Sequence, residues 1–150
     1  MLTPLTPADL PAFTAMVVSL YGEDPGPVSM TPERARAQAE RLLARPNGAT
    51  AYLLEIAGEP VGYCILVPFW SNEFGGEMVY LDELWIAPAR RGRGLGRAAV
   101  DAVVRHAAAE GFKRVALEVN DDNAAARRLY ERAGFGVESR RTLAMQLRTP

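Results

Sequence analysis

The sequence predicts an α+β fold organised around one strand–helix–strand unit. Three observations carry that expectation: two helix-start signatures within the first 35 residues, an apolar hairpin near residues 49–69, and a later strand that passes through a glycine-rich loop into a helix.

Taken in order, Thr6-Pro7-Ala8-Asp9 places a capping residue before proline and an acid three positions on, which predicts a helix from about Pro7 to Tyr21. Gly22 to Pro27 then breaks it. Thr31-Pro32-Glu33 repeats the grammar and opens a second helix that ends before the turn signal Arg45-Pro46-Asn47-Gly48. Ala49–Ala57 and Pro60–Phe69 are apolar and rich in branched and aromatic residues, and Gly58-Glu59 between them predicts a hairpin. A strand from Met78 to Ala87 follows a polar loop. Past the loop Pro88 to Gly96, Leu95, Ala99, Val103 and Ala107 recur at helical spacing until Gly111. Arg114–Val119 is expected as a strand and Ala124–Ala133 as a short helix. Phe135–Leu147 is expected as two short strands or one bent one.

Composition narrows the function classes. The 150 residues are 49% hydrophobic and 23% charged, which suits one globular domain over residues 1–150 with one buried core. One cysteine, Cys64, and one histidine, His106, leave neither a disulfide framework nor a zinc ligand set. No secretory leader is read at the start, and no apolar run approaches the roughly 18 residues of a membrane span. A cytoplasmic protein is expected. The formal charge is −1 and gives no basis for nucleic-acid binding, but it is unevenly spread. Residues 1–85 hold four arginines against eleven acids, a net of −7; residues 86–150 hold thirteen basic residues against seven acids, a net of +6.

The loop before the central helix is where the basic half concentrates. Backbone N–H groups of a glycine-rich turn beside a helix N-terminus form an anion site, and Arg90, Arg91, Arg93 and Arg97 surround it. A P-loop is excluded, because neither its lysine nor its following hydroxyl is present. Gly94-Leu-Gly96-Arg-Ala-Ala99 loosely matches a dinucleotide fingerprint, although some 80 residues of other structure precede it and the unit occurs once.

Arg91-x-x-Gly94-x-Gly96 resembles the cofactor loop of the GNAT superfamily of N-acetyltransferases, and Asn123 to Phe135, with Leu129-Tyr130 and Gly134-Phe135, is similar to that family's second box. The resemblance covers essentially the whole chain. It implies a GNAT-like acyltransferase fold, with a mixed, mainly antiparallel sheet of six to seven strands flanked by about four helices. It also implies acetyl-coenzyme A as donor. Backbone amides of Arg91, Gly92, Arg93, Gly94, Leu95 and Gly96, with Arg97, would hold the pyrophosphate. Leu84, Trp85 and Ile86 would pair with the pantetheine arm, Asn123 would contact the cofactor, and Tyr130 would sit beside the thioester sulfur as the acid for the leaving thiolate.

Acetyl transfer to an amine needs a neutral nitrogen, and deprotonating a lysine-like amine at pH 7 costs about 4.6 kcal/mol. A base is therefore expected. Asp82 and Glu83 lie just ahead of the cofactor loop, where polyamine acetyltransferases of the superfamily carry a similar pair. Strand alternation turns them to opposite faces, so one of the two is expected to serve as base or amine anchor, directly or through water. Cys64 lies in an apolar strand and reads as core, and His106 stays off the site. The acidic half predicts a small cationic acceptor, polyamine-like or aminoglycoside-like, with a peptide or protein amine next. A non-catalytic acyl-coenzyme A sensor and a nucleotide binder are the other classes. The expected partners are a small-molecule amine and a second copy of the chain, without nucleic acid or membrane.

Overall fold

The computed structural model describes residues 1–45, 48–139 and 142–147. Its five strands are β1 (Leu2–Pro4), β2 (Thr50–Ile56), β3 (Glu59–Ser71), β4 (Gly76–Ile86) and β5 (Val115–Leu117), lying side by side in that order. All neighbours are antiparallel except β4 and β5, which the helix α3 (Leu95–Ala109) joins as the single parallel pair. The other helices are α1 (Leu10–Glu23), α2 (Pro32–Leu43) and α4 (Ala124–Arg132).

Local chemistry sets the element starts. Asp9 accepts from both the backbone N–H and the hydroxyl of Thr6, so Pro7–Asp9 forms a 3₁₀ turn and α1 proper begins at Leu10. Thr31 caps α2 by accepting from the Arg34 N–H at 3.2 Å. The β2–β3 turn is Ala57-Gly58, both at positive φ, one residue earlier than Gly58-Glu59.

The sheet separates two apolar layers. On one face α3 packs Ala99, Val103 and Ala107 against Leu54, Val61, Val79 and Leu81. On the other, α1 and α2 bring Phe13, Val17, Ala35 and Ala39 onto Leu53, Tyr63 and Trp85. Cys64 is fully buried in the first layer, and burial pushes its thiol up to about 12. It is a core side chain. His106 sits on the α3 side and shares a 2.9 Å hydrogen bond with the Tyr52 hydroxyl.

The strand count is lower than the six to seven expected. Among the described residues, 135–139 and 142–147 contain no strand, and Val137, Leu143 and Met145 are 88%, 92% and 84% exposed. A period-two apolar pattern states only how side chains would alternate; a strand also needs a neighbouring edge in register. Here the segment touches β5 and its flanks through side chains, Glu138 with Arg114 and the Thr142 hydroxyl donating to Glu118. No ladder forms.

Candidate active site

The site is built where β4 loses regular pairing. Ile65 of β3 stands opposite Glu83 and the next residue, Leu66, stands opposite Leu81, so Asp82 is a bulge with no partner on β3. The bulge changes the phase of β4. Val79 and Leu81 face α3, and so do Leu84 and Ile86, whereas Glu83 and Trp85 turn to the α1–α2 side. Without the extra residue, Glu83 would share the face of Leu81.

Past that point β4 also loses its other neighbour. β5 pairs with Val79, Tyr80 and Leu81 only, so Leu84, Trp85 and Ile86 keep their bonds to β3 while their opposite edge opens on a cleft of about 1590 Å³. An extended ligand arm could add to that edge as a strand does.

At the end of β4 the loop supplies a second kind of donor. The Arg90 and Arg91 N–H groups close a 3₁₀ turn onto Ala87 and Pro88, and the first backbone bond of α3 is Ala98 N–H to Gly94 carbonyl at 3.0 Å. Between them, the N–H groups of residues 92–97 meet no backbone acceptor among the described residues. Gly94 caps α3 at φ 78°, a left-handed conformation that costs an L-residue about 1–2 kcal/mol. This run of free donors at a helix N-terminus fits a pyrophosphate.

The large cleft collects most of the residues singled out in the sequence: Asp82, Glu83, Leu84, Trp85, Ile86, Arg91, Gly92, Gly94, Leu95, Gly96, Asn123 and Tyr130. Arg93 and Arg97 do not line it. The Arg97 guanidinium is held by Asp101 at 2.8 Å and by the Arg132 carbonyl at 2.7 Å, which pins α3 to the end of α4. Asn123 caps α4, its amide oxygen accepting from the Ala126 N–H at 3.1 Å. Tyr130 packs edge-on to Phe135, and burial raises its phenol.

Glu83 and Asp82 are brought together at one place, contrary to the opposite-face expectation. Both line the large cleft and also a second cavity of about 610 Å³ between the sheet and α1–α2; the two spaces share Tyr21, Asp82 and Glu83. Glu83 accepts from the Tyr21 hydroxyl at 2.8 Å and from the Tyr63 hydroxyl at 2.7 Å. Burial raises its carboxyl, the two phenols pull it back, and Asp82 raises it again, for a net upward shift. Asp82, more open to solvent, is raised by desolvation and by Glu118. Tyr21 and Tyr63 carried no signal in the sequence, lying 62 and 20 residues from Glu83 in segments that read as helix end and core strand.

Residues 14–135 match the model of the acetyltransferase (GNAT) family. The chain belongs to that family. Among GNAT relatives it is 34% identical over 117 residues to a mycothiol acetyltransferase of Amycolatopsis mediterranei, covering 71% of this chain and 36% of that protein. It is 32% identical over 113 residues to the thialysine N-epsilon-acetyltransferase of Bos taurus, covering 68% and 66%. The chain thus spans about a third of the length of the first of these relatives. Among solved structures, an integron cassette protein from a salt-marsh metagenome, HFX_CASS3, aligns with a TM-score of 0.82 at 26% identity, covering 99% of this chain and 91% of that one. The ribosomal-protein-alanine N-acetyltransferase of Brucella melitensis shares the fold, with a TM-score of 0.76 at 19% identity over 98% and 99% of the two chains. No described helix of this GNAT chain is long and apolar enough to cross a membrane. Among the described residues no cluster of three or more His, Cys, Asp or Glu could hold a metal ion.

Proposed function

We propose that residues 1–150 act as one N-acetyltransferase domain that moves an acetyl group from acetyl-coenzyme A to a primary amine by direct attack. The observation that carries this reading is the junction of the two cavities at Tyr21, Asp82 and Glu83: a space with donor-rich backbone on one side meets a separate pocket at a carboxylate pair. Acetyl-coenzyme A supplies the acyl group as a thioester. The free N–H groups of residues 92–97 would hold its pyrophosphate, and the open edge of Leu84–Ile86 would hold its extended arm.

Glu83 is the preferred base. It is the less exposed of the pair, and two phenols fix both of its oxygens at the junction. A raised carboxyl is a better proton acceptor for an ammonium than an ordinary one, which narrows the gap the base must cover. Asp82 would anchor the amine. As the new N–C bond forms and the C–S bond breaks, the sulfur leaves as a thiolate, and the Tyr130 hydroxyl, whose oxygen has no protein partner among the described residues, would return a proton to it.

The acceptor is a small-molecule amine that presents a cationic head to this acidic pair. The names of the relatives, mycothiol, thialysine and ribosomal-protein-alanine acetyltransferases, span small molecules and a protein, so a peptide amine is the second reading. An amine panel assayed by thiol release from acetyl-coenzyme A tests the proposal. Turnover with a small amine is expected; binding of acetyl-coenzyme A without transfer to any amine would leave an acyl-coenzyme A sensor.

A further inference from the structure

The smaller cavity has a chemical polarity that bears on the acceptor, given the acetyltransferase reading above. Its floor is apolar, with Phe13, Val17, Ile65 and the small faces of Ala35 and Ala39. One end carries Asp82 and Glu83. The wall contributed by α2 carries Arg34 and Arg41, seven residues apart on one helix stripe, and Arg45 just past the helix end. None of these three has a carboxylate partner among the described residues, whereas Arg36, elsewhere on the same helix, is paired with Glu40 at 2.9 Å.

The cavity therefore holds three arginines against two acids, although the first 85 residues as a whole are strongly acidic. A polycation would gain at the Asp82–Glu83 end and be repelled along α2. A molecule with opposite charges at its two ends would be matched at both. Helix rise gives the separation: the Arg34 guanidinium acts on the Tyr21 phenol, whose hydroxyl donates to Glu83, and Arg41 stands seven residues farther along α2. Seven residues of helix rise amount to about 10 Å.

We propose that the acceptor is a primary amine that bears an anionic group, a carboxylate or a phosphate, about 10 Å away at the other end of an apolar body. The ammonium sits at Asp82 and Glu83, the body lies over the apolar floor, and the anion is held by Arg41 and Arg45. This replaces the polyamine-like or aminoglycoside-like acceptor that the half-chain charge favours, because the pocket wall and not the half-chain sum sets the local potential.

The test compares ω-amino carboxylates and ω-amino alkyl phosphates with α,ω-diamines of matched length, by kcat/KM with acetyl-coenzyme A and by calorimetric binding. The anion-bearing amine is expected to exceed the matching diamine by about tenfold or more, and the carboxylate and phosphate arms identify which anion is preferred. In the Arg41→Gln/Arg45→Gln double variant that preference ratio should fall about tenfold, and Arg41→Lys with Arg45 intact should retain most of it. A diamine that binds and reacts as well as the ω-amino acid overturns the inference, as does an unchanged ratio in the double variant. An anion-bearing amine that binds preferentially without being acetylated sustains the pocket assignment and removes the transfer reading instead.

Discussion

Arg91, at the head of the glycine-rich loop, is bound through two guanidinium nitrogens to Glu23 at the end of α1, at 2.7 and 3.0 Å. The third nitrogen donates to the Ile86 carbonyl at 2.7 Å, and the Trp85 indole N–H donates to the same Glu23 at 3.0 Å. One carboxylate thus ties the helix beside the smaller cavity to both the glycine-rich loop and the end of β4. The Arg91 hydrogen bonds hold the Glu23 carboxyl below its ordinary value. With its folded value depressed, the stabilising contribution is present above the ordinary carboxylate range and is lost as pH falls through the folded value.

Glu23→Gln should therefore loosen the loop. The pair is 43% and 41% exposed, so solvent screening limits it to about 0.2–1 kcal/mol, and the Kd for acetyl-coenzyme A should rise up to about fivefold. The difference should shrink in 1 M salt, where the Debye length is about 3 Å. A Kd unchanged at low salt would mean that the loop keeps its shape without this anchor.

Gly94→Ala and Gly96→Val probe the loop itself. The first forces a side chain into φ 78°, at about 1–2 kcal/mol. The second starts from a Cβ position 3.1 Å from Leu129 Cδ2, so its methyls push α4 and Tyr130 away from α3. Both should fold, by circular dichroism, and bind acetyl-coenzyme A at least about fivefold more weakly. Wild-type affinity in both folded variants would place the pyrophosphate elsewhere.

With Glu83 as the proposed base, its upward shift should set the acid side of the pH profile. A raised carboxyl stays protonated to higher pH, and a protonated base cannot accept from the ammonium, so kcat/KM should fall on acidification with a limb above the ordinary glutamate value of 4.5. Asp82→Asn removes a like charge that raises Glu83 and should move the limb to lower pH. Glu83→Gln should remove the limb and lower kcat by about 100-fold or more. A limb that survives in Glu83→Gln would assign the base to another group.

Tyr130→Phe separates acid from packing. The ring, which packs on Phe135, is retained, so acetyl-coenzyme A affinity should stay within about twofold. In the proposed role the hydroxyl would act only as the thiolate departs, so kcat should fall about 10- to 100-fold in single-turnover measurements, where product release does not mask chemistry. An unchanged single-turnover rate would make Tyr130 a packing residue.

Much of this arrangement follows from local sequence. The Thr6–Asp9 and Thr31 caps, the apolar runs of β2 to β4 and the Arg91 to Gly96 loop are short-range signals, since capping, alternation and glycine conformations are decided within a few residues. Tertiary structure decided what depends on neighbours. The bulge at Asp82, which turns Glu83 toward Tyr21 and Tyr63, arises from pairing with β3, and no run of residues in β4 announces it. The Glu23–Arg91 tie joins residues 68 apart. The apolar alternation at Leu143, Met145 and Leu147 reads as strand, yet these side chains are exposed because, among the described residues, no sheet edge meets them in register. Charge behaves likewise: the sum over residues 1–85 is a property of the chain, but the potential inside the smaller cavity depends on three arginines of α2 and its end and on two carboxylates of β4, and only the fold places them around the same space.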